Sequence, residues 1–464
     1  MSIEAEIFPA LSESIVSAIP AALYEYRLSF QRTDIVTVPK FLMEKSFDLI
    51  DQETGQKVPF QIVELDSPQS PVPHAAGRYA RGQFDRQELM SLVFTAENVP
   101  AIGYKTYRIE YRDKDSHAND QTAANSIIVN DTGMENRFFR VVLNPNNGTV
   151  ESIYDKEHSR ELVDKNAPHG VNQLITRWVK SGKTESPVNV KIRKGQQGPI
   201  CGSLIISGCG AGCPQLTQEI ILYRDLKRID FANRVLKDST PAMEVYFAFP
   251  FKVEKPDFRF EGSNSVIKPL RDQFPGSNSN YYSVQHWADV SDDKIGITLS
   301  PRDAHLIEFG GLRPCYVSQA HHGVTPPDFG APFVSEMTRG HMYSFVINSN
   351  FRTNFQATQQ GDILFRYSIT THKGDWRKGQ PKNFGWSAAN PLIPVVVNGK
   401  QEGTLPESRG FCQVDSPNIL ITALKRAEDG KGFILRRGYR DTVAKDIARG
   451  ILAYINKAKS AKVR

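Results

Sequence analysis

His286, Trp287 and Asp289 stand within four residues of one another in QHWADVS. A tryptophan face can stack on sugar C–H bonds, and a neighbouring carboxylate can accept protons from hydroxyls. His286, Trp287, Asp289 and, further along, Asp303 in SPRDAHL are therefore the candidate sugar contacts. The competing reading is a plain strand with Trp287 packed inside and polar neighbours outside. One imidazole and one carboxylate are too few ligands for a metal, so no metal is assigned to this group. His321 and His322 lie in the Pro- and Gly-rich stretch QAHHGVTPPDFGAP and read as a solvated loop.

Other spacings exclude chemistry. Cys201, Cys209 and Cys213 cluster in CGSLIISGCGAGC, but a structural zinc site would want a CxxC pair with a second pair later. Free thiols are the expectation, with one disulfide or a metal as the alternatives. Gly208, Gly210 and Gly212 do not make GxGxxG, and Pro214 follows instead of a helix, so no phosphate cradle is expected. Asn130-Asp-Thr132 and Asn147-Gly-Thr149 match the glycosylation pattern but read as ordinary turns.

The elements that would carry these residues are strands. In ENRFFRVVLNPNNGTVESIYDK, Phe138, Arg140 and Val142 alternate with Phe139, Val141 and Leu143. Asn147-Gly148 supplies a tight turn, and the return strand begins at Val150. YEYRLSFQRTDIVTVP alternates in the same way, and DQETGQKVPFQIVE reads as a hairpin around Thr54-Gly55. Helical periodicity is nearly absent until the tail. There Ala444, Ile447, Ala448, Ile451, Leu452 and Ile455 share one helical face. The predicted organisation is a tail or short helix over 1–23, a small β-sandwich over 24–112 and a linker over 113–126. A large β-domain then covers 127–380, a partial β-sandwich beginning near Trp386 covers 381–440, and an amphipathic helix covers 441–464.

Composition narrows the partners. A net charge of +6 from 57 basic and 51 acidic residues, without a basic stripe interleaved with aromatics, gives no reason to expect nucleic acid. No run of 18 apolar residues suggests a transmembrane helix. The opening MSIEAEIF carries acids and no Lys or Arg, unlike a secretory signal. A cytoplasmic protein is expected.

Several of these runs together resemble one enzyme family. The hairpin ending in SIYDK, RTDIVTVP with Arg32, Asp34, Val36, Val38 and Pro39, GQKVPFQ, LKRIDFANRVLKD with VYFAFPF, and ALKRAEDGKGFILR are similar to the β-region of glycoside hydrolase family 38, the retaining α-mannosidases. The resemblance runs in order from Arg32 to Arg437. It implies a mainly β fold: a small sandwich, then a large antiparallel supersandwich of galactose-mutarotase type, then a partial third β-unit and a short C-terminal helix. It implies carbohydrate, in the form of α-mannosides, as partner.

The family's nucleophilic aspartate and its zinc ligands, including a His-x-Asp motif, come from an N-terminal barrel. None of the ten histidines here is followed two residues later by Asp, and only about 23 residues precede the first strand, too few for a barrel. No catalytic residue and no cofactor is therefore assigned to this chain, and zinc is expected only in the missing catalytic domain. The resulting expectation is the β-region of an α-mannosidase-like hydrolase, inactive alone and completed by a separate catalytic chain or domain. The alternative is a stand-alone carbohydrate-binding or interaction module that has lost catalysis. A further reading, acid/base chemistry in a groove of the supersandwich, would need a His or Tyr facing a Glu or Asp.

Overall fold

The computed structural model describes residues 28–39, 46–64, 68–69, 90–112, 127–263, 265–274, 277–312, 336–349, 356–397, 405–412, 419–426 and 433–439. The expected helices at both termini, the 113–126 linker and His321-His322 lie outside them. Among the described residues no helix is long and apolar enough to cross a membrane.

Alternating apolar residues in the first unit build two facing layers. Arg32–Pro39, Met90–Val99 and Phe60–Glu64 form one sheet, and Phe47–Asp51 pairs with Tyr107–Tyr111. Val36, Phe47, Leu49, Leu92, Phe94, Ala96 and Val99 fill the space between them. Phe47 stacks on Phe60 across the layers at 4.5 Å. The turn around Gly55 forms as read, with Gly55 at φ 70° and the Val58 amide donating to the Leu49 carbonyl. Its two arms then part. Phe47–Asp51 stays in one layer, while Phe60–Glu64 crosses to the other.

The large domain is all antiparallel. Its nine-stranded sheet runs, edge to edge, through Val188–Gln197, Cys201–Gly210, Cys213–Tyr223, Ile229–Lys237, Gly361–Lys373, Ile295–Pro301, Ala288–Ser291, Asp257–Gly262 and Ser265–Ile267. A six-stranded sheet faces it: Thr184–Glu185, Gln173–Trp178, Met243–Pro250, His341–Asn348, Leu306–Phe309 and Tyr282–Ser283. A five-stranded sheet packs into the same core and contains the hairpin Phe139–Leu143 and Val150–Asp155. Met243–Pro250 is buried along its whole length, which explains why MEVYFAFP is apolar on both faces apart from Glu244. Gly148 turns the hairpin at φ 69°, and a Cβ there would lie 2.6 Å from Ile206 and 2.7 Å from Val190. Both the turn and the packing beneath it thus require glycine. Asn130 and Asn147 accept from the Thr132 and Thr149 amides, as turn residues do.

Between the domains the sequence reading needs correction. Trp386 does not open a β-unit; it sits in a helix, Pro381–Ala389, preceded by a short helix, Trp376–Gly379. Asp375 caps the first, accepting from the Lys378 amide at 3.2 Å. Pro381 starts the second, where its missing N–H is no loss. The strands beyond are Ser408–Gly410, Ile419–Arg426 and Phe433–Tyr439. Ser408–Gly410 does not pair with either of the other two; its partner is Gly103–Lys105 of the first unit.

Candidate functional site

The candidate residues His286, Trp287 and Asp289 lie where the helix Pro381–Ala389 crosses the outer face of the nine-stranded sheet. Period-2 alternation decides which side chains point there. Phe258, Phe260, Ala288, Val290, Ile295, Ile297, Leu299 and Ile369 face the core, so Arg259, Glu261, Asp289, Thr298, Ser300 and His372 face the helices. Register brings them together: Arg259 opposes Asp289, Asp289 opposes Thr298, and Gly296 opposes His372.

Asp289 is fully buried. Its Oδ2 accepts from Thr298 Oγ1 at 2.8 Å and lies 2.8 Å from His372 Nε2. The His372 ring is clamped between two glycines: a Cβ on Gly296 or on Gly379 would fall 2.0 Å from its atoms. Glu261 forms a second group. Its Oε1 accepts from Trp386 Nε1 at 3.0 Å, and its Oε2 lies 3.2 Å from His286 Nδ1. His286 stacks on Trp386 with ring centroids 4.1 Å apart. Gly385 lets the helix descend onto this layer, since a Cβ there would lie 2.5 Å from Trp287 Cβ and 2.7 Å from the His286 carbonyl.

This geometry corrects the expected sugar platform. Trp287 is 1% exposed, beneath Gly385 and beside the Trp376 ring at 6.5 Å. Neither of its faces is open to a sugar, and the Asp289 carboxylate is equally inaccessible. Asp303 lies apart from them. Arg366 donates to both of its oxygens at 2.7 Å, and the Arg366 amide adds a third bond. Of the four candidates His286 and Asp303 keep partly open side chains, 22% and 23% exposed. The Asp289–His372 pair ties strands of the sheet to one another, and Trp386, bonded to Glu261 and stacked on His286, fastens the helix to it.

The sequence reading missed a second layer, on the outer face of the six-stranded sheet. Tyr246 stacks on Phe345 at 4.8 Å, with Ile175, Ala248 and Tyr343 alongside. Two buried acids enter this apolar face. Glu244 takes Arg177 at 2.7 Å and the Tyr246 hydroxyl at 3.0 Å, and Glu308 is the register partner of Tyr343. Burial, with the Glu308 charge beside it, pushes the Tyr343 phenol up to about 12. Burial and the nearby His341 lower the pKa of His169, whose Nδ1 lies 3.2 Å from the Tyr343 hydroxyl. A tyrosine beside a glutamate is the pairing that groove acid/base chemistry requires. Here the two are 1% and 0% exposed, so substrate does not reach them. No sequence signal distinguished these acids from outward-facing ones, because alternation is the same on either side of a covered sheet.

A third group joins the domains. Arg228 Nη1 donates to Asp34 Oδ1 at 2.8 Å and its Nε lies 3.1 Å from Asp230. Tyr223 and Ser368 donate to Asp230 at 2.7 and 2.6 Å. Burial opposes the Arg228 charge, but Asp230 and Asp34 outweigh it and hold the guanidinium firmly protonated.

Comparison with known proteins agrees with this architecture. Residues 134–305 match the family described as Glycosyl hydrolases family 38 C-terminal domain, a stretch that lies within the large β-domain. The chain is 19% identical over 322 residues to Alpha-mannosidase G of Dictyostelium discoideum, covering 65% of this chain and 27% of that protein. Its fold matches the crystal structure of an alpha-mannosidase from Enterococcus faecalis V583 with a TM-score of 0.63 and 14% identity, over 91% of this chain and 51% of that one. It also matches a glycosyl hydrolase family 38 protein from Enterococcus faecalis with a TM-score of 0.61 and 15% identity, over 91% and 53%. The chain thus spans about half the length of the two bacterial proteins and about a quarter of the Dictyostelium one.

Proposed function

We propose that this chain, with a family 38 C-terminal domain at its centre, is the β-region of an α-mannosidase-like glycoside hydrolase, which works on α-mannosides only together with a catalytic domain or chain. The observation that carries this reading is the fold match over 91% of the chain to about half of a longer alpha-mannosidase. Retaining hydrolysis needs two carboxyl groups about 5 Å apart with access to the glycosidic bond. The carboxylates of the groups described above are otherwise engaged: Asp34 and Asp230 by Arg228, Asp289 by His372 and Thr298, Asp303 by Arg366. Zinc does not fit these groups either. Among the described residues no three His, Cys, Asp or Glu side chains gather as a ligand set. We therefore assign nucleophile, acid/base and zinc to the catalytic partner, and to this chain the wall that supports it. A cytoplasmic setting suits Cys201, Cys209, Cys213 and Cys412, all free thiols.

The test is hydrolysis of an aryl α-mannoside with added Zn²⁺. The chain alone should show no turnover above background, and a matching family 38 barrel supplied in trans should restore it. Metal-dependent turnover by the isolated chain would sink the proposal. Calorimetry with mannose oligosaccharides separates a binding module from a scaffold. Saturable heat from the isolated chain would favour the stand-alone binding reading.

A further inference from the structure

A cavity of about 230 Å³ opens beside the short helix Trp376–Gly379. It is smaller than the roughly 300–1,000 Å³ of drug-sized pockets and suits a single small group. Four cations line it: Arg259, Lys268, Arg271 and Arg377, against one acid, Asp272. Asp257, just outside the lining, takes both Arg259 and Lys268, the latter at 2.8 Å. Burial pushes the Asp257 carboxyl up, but those two cations outweigh it and hold the group ionised. Asp272 accepts from the Lys268 backbone amide at 2.9 Å, which fixes the loop.

Arg271 and Arg377 are left without a carboxylate partner among the described residues, and Arg377 lies over the Trp376 ring at 4.5 Å. Trp376, also in the lining, carries a buried indole N–H that finds no acceptor among the described residues. Two guanidiniums without a carboxylate around one small cavity are donors waiting for a multivalent oxyanion. Guanidinium forks match phosphate oxygens bidentately.

We propose that this cavity binds a phosphate dianion, free or carried on a sugar-sized molecule, with Arg271 and Arg377 as its donors. Titration calorimetry on the full chain with inorganic phosphate, glucose 6-phosphate and glucose tests this. Phosphate or glucose 6-phosphate should bind saturably at millimolar concentrations, and glucose should not. Tighter binding of glucose 6-phosphate assigns a sugar-borne group; equal binding assigns free phosphate. R271Q/R377Q should weaken binding about tenfold or more, and K165Q, an exposed change outside the cavity lining, should leave it as it was. Both arginines are exposed, so the double variant should fold, which a thermal melt checks. The proposal is overturned if neither phosphate compound binds, if glucose binds as well as glucose 6-phosphate, or if R271Q/R377Q binds like the parent.

Discussion

Asp34 of the first sandwich and Arg228 of the large domain meet at 2.8 Å, with side-chain exposures of only 4% and 13%. They come from two runs that drew attention for other reasons, RTDIVTVP and LKRIDFANRV. The pair explains why an acid sits among apolar strand residues in the first run, and why Asp230 follows two residues after Arg228 in the second. Arg32 completes the contact by donating to the Asn390 carbonyl at 2.7 Å, at the end of the helix Pro381–Ala389. A single polar knot therefore ties three parts of the chain.

Removing both members of the Asp34–Arg228 pair should cost less than the sum of removing each. Asp34→Ala leaves a buried guanidinium with Asp230 as its remaining acid. We expect a loss of about 3 kcal/mol, the lower end of what breaking a buried pair costs. Asp34→Ala combined with Arg228→Met should cost less than the two single changes summed. Urea unfolding of the four proteins measures this, and strict additivity would show that the pair is energetically idle.

The helix over the candidate site should be dislodged by one side chain. In Gly385→Val the new atoms meet a backbone carbonyl and Trp287 Cβ, neither of which can swing aside. Overpacking of this kind costs about 1–3 kcal/mol. Trp287 and Trp386 would become more exposed, so the fluorescence maximum should move to the red. An unshifted spectrum with unchanged stability would contradict the packing described.

Acid should unfold the protein partly through Asp155. Burial pushes this carboxyl up, but hydrogen bonds from Thr371 and His158 and the charge of Lys227 prevail and hold it below its ordinary 3.8. A group depressed on folding stabilises fully above its unfolded value and loses that contribution as pH falls through the folded one. Stability should therefore drop below about pH 4. Asp155→Asn should be less stable at pH 7 by about 1–3 kcal/mol and should show a shallower acid limb. Denaturant midpoints from pH 7 to pH 2 would decide it, and parallel curves would refute the role of Asp155.

Thiol labelling should follow burial. Burial pushes Cys201 up to about 12 and Cys213 up to about 11, so both stay protonated at pH 8. Iodoacetamide followed by peptide mass mapping should leave both unmodified in the native protein and modify them in urea, while half-buried Cys209 labels earlier. Native labelling of Cys201 as fast as Cys209 would contradict the core packing.

The strands were legible because alternation is local. Phe139, Val141 and Leu143 point inward and Arg140 outward as their order predicts. The helices were not legible. Trp376–Gly379 and Pro381–Ala389 are short, carry Gly and Asn, and owe their form to caps, Pro381 and the sheet beneath. The candidate site failed for a related reason. Alternation correctly places Trp287 and Asp289 on one face, but cannot say that residues nearly a hundred positions later will cover it. The same distance hides the Asp34–Arg228 contact.

The ladder between Gly103–Lys105 and Ser408–Gly410 makes the architecture a closed circuit and not a string of beads. A protease nick anywhere between residues 112 and 127 would leave two fragments still stitched by backbone bonds, so they should copurify under native conditions and separate only in denaturant.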